Sequence, residues 1–213
     1  MTKYRLIFPR ISCTLLAFIN TYSEFMNSTH REIEARFLDI DPMALKARLN
    51  ELGAMDHGEE MFSERIFHDA LGTWAQEGKR YIRIRITKKG TFLTFKCFEK
   101  SSVDGTREIE LMINSADHAE ALLKELGITL TRAQEKKRHS FQLGDVMIDF
   151  DTWPSLPPYV ELEGPNEDAL KTVASQIGLD WSAAVFDSAL VVIENHYHLP
   201  VSVYKYFTFD RIG

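Results

Sequence analysis

Disulfide chemistry has little to work with in this sequence: its 213 residues include two cysteines, Cys13 and Cys97, far apart and in unrelated surroundings. That excludes a disulfide-stapled scaffold and a CxxC metal site, and it suits a reducing, cytoplasmic setting. Long apolar runs are also missing. The run "ISCTLLAFI" at 11–19 is too short to span a bilayer. Positive charge is in deficit, with 25 Lys and Arg against 31 Asp and Glu and a net charge of -6. A protein that coats nucleic acid or an anionic membrane through its overall field is therefore excluded, and any bound anion must meet a local concentration of Lys and Arg. No low-complexity linker interrupts residues 30–199, which reads as one domain.

Apolar material is ample: the chain is 45% hydrophobic, with 14 Phe, 7 Tyr and 3 Trp, enough for one sizeable core. Residues 1–29, where Lys3, Arg5 and Arg10 precede the short apolar run without a clear cleavage site, read as a leader or a start placed too early, with Met26 just before the organised pattern. Three stretches carry helix punctuation. In "DPMALKARLNELG" Asp41 can cap, Pro42 suits the first turn, Leu45, Leu49 and Leu52 share a face, and Gly53 stops the helix. In "SADHAEALLKELG" Ser115 caps, Ala119, Leu122, Leu123 and Leu126 recur at helical spacing, and Gly127 terminates. In "NEDALKTVASQIG" the same plan runs from Asn166 through Leu170, Val173, Ala174 and Ile177 to Gly178.

Between them lie short, alternating segments rich in β-branched and aromatic residues: "REIEARFL", "MFSERIFHD", "RYIRIRIT", "TFLTFKCFE", "TREIELMI", "EKKRHSFQL", "DVMIDFD" and "YVELEG". They predict about eight antiparallel strands, an α+β fold in which the sheet closes into a barrel and the amphipathic helices pack outside. Positions two apart share a face. One face then carries Glu32, Glu34 and Arg36; Arg83 and Arg85; Thr94 and Lys96; Glu108 and Glu110; Lys136 and Arg138; Asp149 and Asp151; Glu161 and Glu163. The other face is apolar.

For any one strand such alternation ordinarily means a solvated outer face. Two features of the set argue otherwise. The helices' apolar stripes need the apolar strand faces as partners. The charged faces are segregated by sign, where a solvated face would mix signs with Ser, Thr and Asn. Turned inward, the charges make a wet lumen in which Arg forks and Lys point charges can grip several phosphates, and paired carboxylates suit a hard divalent cation.

This constellation resembles the CYTH family, the triphosphate tunnel metalloenzymes, which includes class IV adenylyl cyclases, thiamine triphosphatases and inorganic triphosphatases. The family's Glu-x-Glu-x-Lys reads "EIEAR" here, so Arg36 stands in the Lys position, and "RIR", "TFK", "REIE", "KKR", "DFD" and "YVELEG" follow in order across 30–199. The resemblance implies a tunnel binding a small-molecule triphosphate (ATP, thiamine triphosphate or tripolyphosphate) with Mg²⁺ or Mn²⁺. It implies metal ligation or its support by Glu32, Glu34, Glu161 and Glu163, with Glu108 and Glu110 on an adjoining wall. Phosphate would be held by Arg36, Arg83, Arg85, Lys96, Lys136 and Arg138, with catalytic roles for Arg36, Asp149 and Asp151, the last preferred of the two acids. Arg36 cannot act as a general base, because a guanidinium stays protonated. The expected protein is a hydrolase in preference to a cyclase, with a non-catalytic polyphosphate or nucleotide binder as the third reading. Its partners include neither nucleic acid nor membrane, and it is a monomer or homodimer.

Three further features take blander readings. His196 and His198 read as surface residues, since no carboxylate or Cys stands at ligand spacing. Trp153 belongs to a loop pinned by Pro154, Pro157 and Pro158, close enough to a mouth to stack on a base. The segment "GEE" at 58–60 reads as a solvated loop, and residues 200–213 as a C-terminal tail.

Overall fold

In a computed structural model the protein is described at residues 27–77 and 79–213, so the expected leader falls outside the described residues as far as Met26. The run that opens the fold is divided at Ile33 into β1 (Asn27–Glu32) and β2 (Glu34–Phe37). This division closes the barrel. β1 pairs antiparallel with β6 (Thr106–Ile113), while β2 pairs antiparallel with β9 (Tyr159–Glu163). The strand order β1-β6-β5-β4-β3-β7-β8-β9-β2 therefore begins and ends on one continuous run of chain. The intervening strands are β3 (Met55–Asp69), β4 (Arg80–Thr87), β5 (Gly90–Phe98), β7 (Ile128–Leu143) and β8 (Val146–Thr152).

The sheet has ten strands rather than the expected eight, because the opening strand is split and β10 (Tyr206–Phe207) lies parallel beside β7. β3 and β7 are also longer than expected. Residues 58–60 are part of β3, paired with Ser140, His139 and Arg138, and not a loop.

The expected helices form where their caps place them: α1 (Pro42–Glu51), α3 (Ala116–Glu125) and α4 (Glu167–Gln176), with a short α2 (Thr73–Glu77) between the first two and α5 (Ala189–Asn195) near the end. Asp41 accepts hydrogen bonds from the Met43 and Ala44 amides, Ser115 from His118 and Asn166 from Ala169, satisfying donors that have no partner within the helix. Gly53, Gly127 and Gly178 follow with φ of +72°, +76° and +82°, the left-handed conformation that favours glycine.

Leu45, Leu49, Leu170, Val173, Ala174 and Ile177 pack on Phe141, Ile148, Phe150, Val160 and Leu162, the outer faces of β7 to β9. Each such large aliphatic side chain contributes about 2 kcal/mol on burial. Leu123 of α3 covers Phe67 and Ile84 on the outer faces of β3 and β4. Its neighbours Leu122 and Leu126, expected in the same stripe, are 60% and 67% exposed, because α3 turns only a narrow face to the sheet. Turning the apolar phase outward to the helices commits the polar phase to the lumen.

Candidate functional site

Every residue expected to face inward does so, and the lumen divides into two differently built walls on either side of β3. The first runs over β7, β8, β9 and β2. Arg138 donates from Nε and Nη2 to Asp151, both at 2.6 Å, from Nη1 to Asp149 at 2.5 Å and from Nη2 to Glu161 at 3.0 Å. Lys136 Nζ donates to Asp151 Oδ2 at 2.6 Å. Arg36 Nη2 lies 2.7 Å from Glu161 and 3.0 Å from Glu34, while its Nη1 donates to the Asp187 carbonyl at 2.7 Å.

Burial opposes the charge on every one of these groups, and the neighbours decide the outcome. Arg138 is held well above the ordinary arginine range, against desolvation, by Asp151, Asp149 and Glu161. Asp151 and Glu161 are lowered by their cations despite burial. Lys136 goes the other way. Burial and then Arg138 outweigh the contact with Asp151 and bring it down to about 8.

The second wall runs over β4, β5, β6 and β1. Lys96 Nζ lies 2.6 Å from Glu32 and 2.9 Å from Glu108, which together raise its pKa against burial. Arg83 is held more loosely, at 3.8 Å from Glu64 and 4.0 Å from Glu110, and its Nε has no partner. Glu110 accepts from Thr94 at 2.9 Å. It stands four positions along β6 from Thr106, the pairing partner of Glu32, and so lies farther from Glu32 than Glu108 does.

Carboxylates crowd where the walls meet below Ile33. Burial first, then Glu32 and Glu161, raise Glu163 to about 7. Glu34 is raised too, burial and its acidic neighbours Glu161 and Glu32 together prevailing over Arg36. Among the described residues no group of three or more His, Cys, Asp or Glu is gathered to hold a metal, since the acids turn toward Arg and Lys.

Residues that the alternation did not reveal complete the lumen. Glu64 is buried and accepts from Arg85 Nε and Gln134 Nε2, both at 2.6 Å, and these partners hold its carboxyl well below the usual range against burial. Arg132 donates to Gln134 at 2.8 Å. Tyr159 faces Asp151 across β8 and β9.

Trp153 is not available to stack on a base. It is 4% exposed, lies nearly parallel to Phe207 at 5.9 Å and donates from Nε1 to the Tyr159 hydroxyl at 3.0 Å. Ile193, Val201 and Phe207 bury against this pair, and Arg132 Nη1 reaches the Val201 carbonyl at 3.3 Å. The C-terminal segment thus covers the end of the barrel at which β8 finishes. His196 lies 3.1 Å from Asp39 at the surface. No helix among the described residues is long and apolar enough to cross a membrane.

Solved structures share this architecture. A candidate adenylate cyclase from Vibrio parahaemolyticus superposes with a TM-score of 0.64 at 17% identity, over 78% of this chain and 99% of that one. A protein from Pyrococcus horikoshii gives 0.62 at 19% identity, over 74% and 96%. A candidate adenylyl cyclase from Hippeastrum, described as having a dominant triphosphatase activity, gives 0.57 at 15% identity, over 80% and 98%. At these identities the likeness is one of fold. No curated protein matches the chain. The CYTH domain, however, matches residues 30–182, most of the chain and β2 to β9 with the second half of β1, and the protein belongs to the CYTH family.

Proposed function

We propose that the protein is a divalent-metal-dependent enzyme that hydrolyses a triphosphate compound to its diphosphate and phosphate. The observation that carries this reading is the lumen itself: five basic side chains, Arg83, Arg85, Lys96, Lys136 and Arg138, converge beside a crowded group of carboxylates inside a closed barrel. Arg forks and a buried Lys suit a run of phosphate groups, and phosphoryl transfer asks a protein mainly for alignment and electrostatic stabilisation.

The carboxylates have the oxygen chemistry that a hard cation takes, and would gather around one only on turning from their Arg and Lys partners. Glu32 Oε2 is buried with no partner, and Glu34 and Glu163 are both raised by burial and by the neighbouring carboxylates Glu32 and Glu161, so a divalent ion would relieve a repulsion already present. Glu32, Glu34, Glu161 and Glu163 would hold it, and it would neutralise phosphate charge developing in the transition state. Asp149 is the better placed of the two aspartates to take a proton from attacking water, although the sequence favours Asp151. Its Oδ1 has no partner and burial raises it, whereas both oxygens of Asp151 are engaged. Water oxygen bonds to the terminal phosphorus, its proton passes to Asp149, and the bond to the bridging oxygen breaks.

Arg36 serves in this scheme to hold Glu34, Glu161 and the Asp187 carbonyl in place. A guanidinium cannot accept a proton, which weighs against the cyclase reading wherever that reading needs a base at this position.

The test is product analysis by anion exchange after incubation with Mg²⁺ or Mn²⁺ and either ATP or tripolyphosphate, for wild type and a Glu32→Ala, Glu34→Ala double variant. Orthophosphate from wild type, with turnover lower by at least about a hundredfold in the variant, supports the reading. Unchanged turnover in the variant sinks it, cyclic AMP with pyrophosphate establishes a cyclase, and silence under every metal leaves a binder.

A further inference from the structure

We propose that Gln134 and Arg132 are positioning residues of the phosphate site: through Glu64 they orient Arg85, and they fasten that orientation to the C-terminal segment. The inference rests on the triphosphate reading and adds to it residues that act on the phosphates only through Arg85.

The sheet register builds the chain of contacts. Glu64 pairs with Arg85 on β4 and with Gln134 on β7, so the three stand in one row across neighbouring strands. In the next row Ile66 pairs with Arg83 and Arg132. Arg132 donates from Nη1 to the Val201 carbonyl at 3.3 Å and from Nε to Gln134 Oε1 at 2.8 Å. Gln134 Nε2 donates to Glu64 Oε2, and Arg85 Nε to Glu64 Oε1, both at 2.6 Å. One hydrogen-bonded chain therefore runs from the C-terminal segment to a cation of the phosphate set. Glu64, Gln134 and Arg132 are 2%, 7% and 6% exposed, so water hardly competes for these bonds.

Each link has a direction. The amide of Gln134 meets an acceptor on one side and a donor on the other, and the reverse orientation would set its oxygen against Glu64 and its nitrogen against the guanidinium. A carboxylate at 134 would repel Glu64, and an apolar side chain would leave one Glu64 oxygen without a donor. Glu64 in turn takes Arg85 by Nε alone. Among the described residues the two terminal nitrogens of Arg85 make no hydrogen bond, and they remain a fork for phosphate. Arg83, the other cation beside Glu64, stands at 3.8 Å. Released by Gln134, the carboxylate can turn to Arg83, and the fork of Arg85 loses its aim.

Filling space does not account for Arg132. Ile66 pairs with it and Val201 lies over it, and an aliphatic side chain there would pack without desolvating a charge. Among the described residues no carboxylate pairs with its guanidinium, and burial lowers it below the ordinary arginine value. What it contributes is the link between Gln134 and Val201.

Calorimetric titration with tripolyphosphate and Ca²⁺, beside urea unfolding and turnover under Mg²⁺, tests the chain in full-length variants. Arg132→Met and Gln134→Leu are each expected to weaken tripolyphosphate binding by about tenfold, the size of one lost charge-assisted hydrogen bond. The unfolding midpoint of Arg132→Met should stay at or above that of wild type, because no cation is then desolvated. The double variant should bind no more weakly than Gln134→Leu alone, since both substitutions cut the same chain. Arg132→Lys, which keeps a donor toward Gln134, should recover most of the affinity. Unchanged affinity in both single variants overturns the proposal, as do losses that multiply in the double variant or a loss in Arg132→Met matched by a lower midpoint. Weakened binding in the variants, with no turnover by wild type, keeps the chain and defeats the hydrolytic reading. Turnover by wild type, with binding untouched in the variants, does the reverse.

Discussion

Arg138 and Arg83 carry the same charge on the two flanks of β3, yet one is saturated and the other is not. Arg138 has four contacts to three carboxylates between 2.5 and 3.0 Å, while the carboxylates nearest Arg83 stand at 3.8 and 4.0 Å. The first wall is held in position by its own counter-charges before any ligand arrives, and such preorganisation lowers the cost of binding. On the second, Arg83 can turn to a phosphate without giving up a short ion pair. A net acidic protein can thus present a basic lumen, because its acids fix some cations and leave others free to exchange partners.

The largest effect expected from this contrast is structural. Asp151→Asn keeps the volume but removes the charge that compensates Lys136 and Arg138 where the aspartate is fully buried. A broken buried pair of this kind costs about 3 kcal/mol, readable as a lower midpoint in urea unfolding. A loss below about 1 kcal/mol would erase the distinction between the walls.

Arg83→Gln should act on ligand and not on fold. Tripolyphosphate affinity is expected to fall by about tenfold, as when a charge-assisted phosphate contact is lost, and stability to move by less than about 1 kcal/mol. Titration calorimetry alongside urea unfolding separates the two. A fall in stability matching that of Asp151→Asn would mean that Arg83 is structural like its counterpart.

The seam between the walls gives a pH-dependent effect. Glu163 is raised from 4.5 to about 7 in the folded protein, so between these values the folded state holds a proton that the unfolded chain has released. Its contribution to stability is present at low pH and is lost as pH rises through that window. Glu163→Gln, which cannot ionise, should therefore gain on wild type by about 1.4 kcal/mol for each pH unit between 4.5 and 7. A constant difference across the range would mean that Glu163 is not crowded by Glu32 and Glu161.

The two walls were not equally legible in the sequence. Strands with a clean period of two, "RYIRIRIT" and "DVMIDFD", declare their inward charges without ambiguity, and three caps with three following glycines locate the helices. Glu64 escaped because Arg65 stands next to it: two adjacent charges give no phase, and only the partner helix decides that Arg65 turns outward to Asp117 and Glu120. Arg132 and Gln134 lie in "ITLTRAQ", whose outer face carries too little apolar contrast to mark a strand. The split at Ile33 was hidden because one uninterrupted alternation serves two different partner strands. The C-terminal cover depends on contacts between Trp153 and residues about fifty positions away, which no local pattern records.

The smallest effect falls on the looser wall. Glu110 faces the lumen like Asp149, but its side chain is 31% exposed, with Arg83 4.0 Å away and Thr94 as its short partner. A partly solvated ion pair at that distance contributes little, so Glu110→Gln should change stability by less than about 0.5 kcal/mol. The same substitution at Asp149, whose carboxylate accepts from Arg138 at 2.5 Å in a buried site, should cost several times more. Equal costs in urea unfolding would show that both walls are held with the same force. The freedom assigned to Arg83 would then have to come from ligand-induced rearrangement of the barrel.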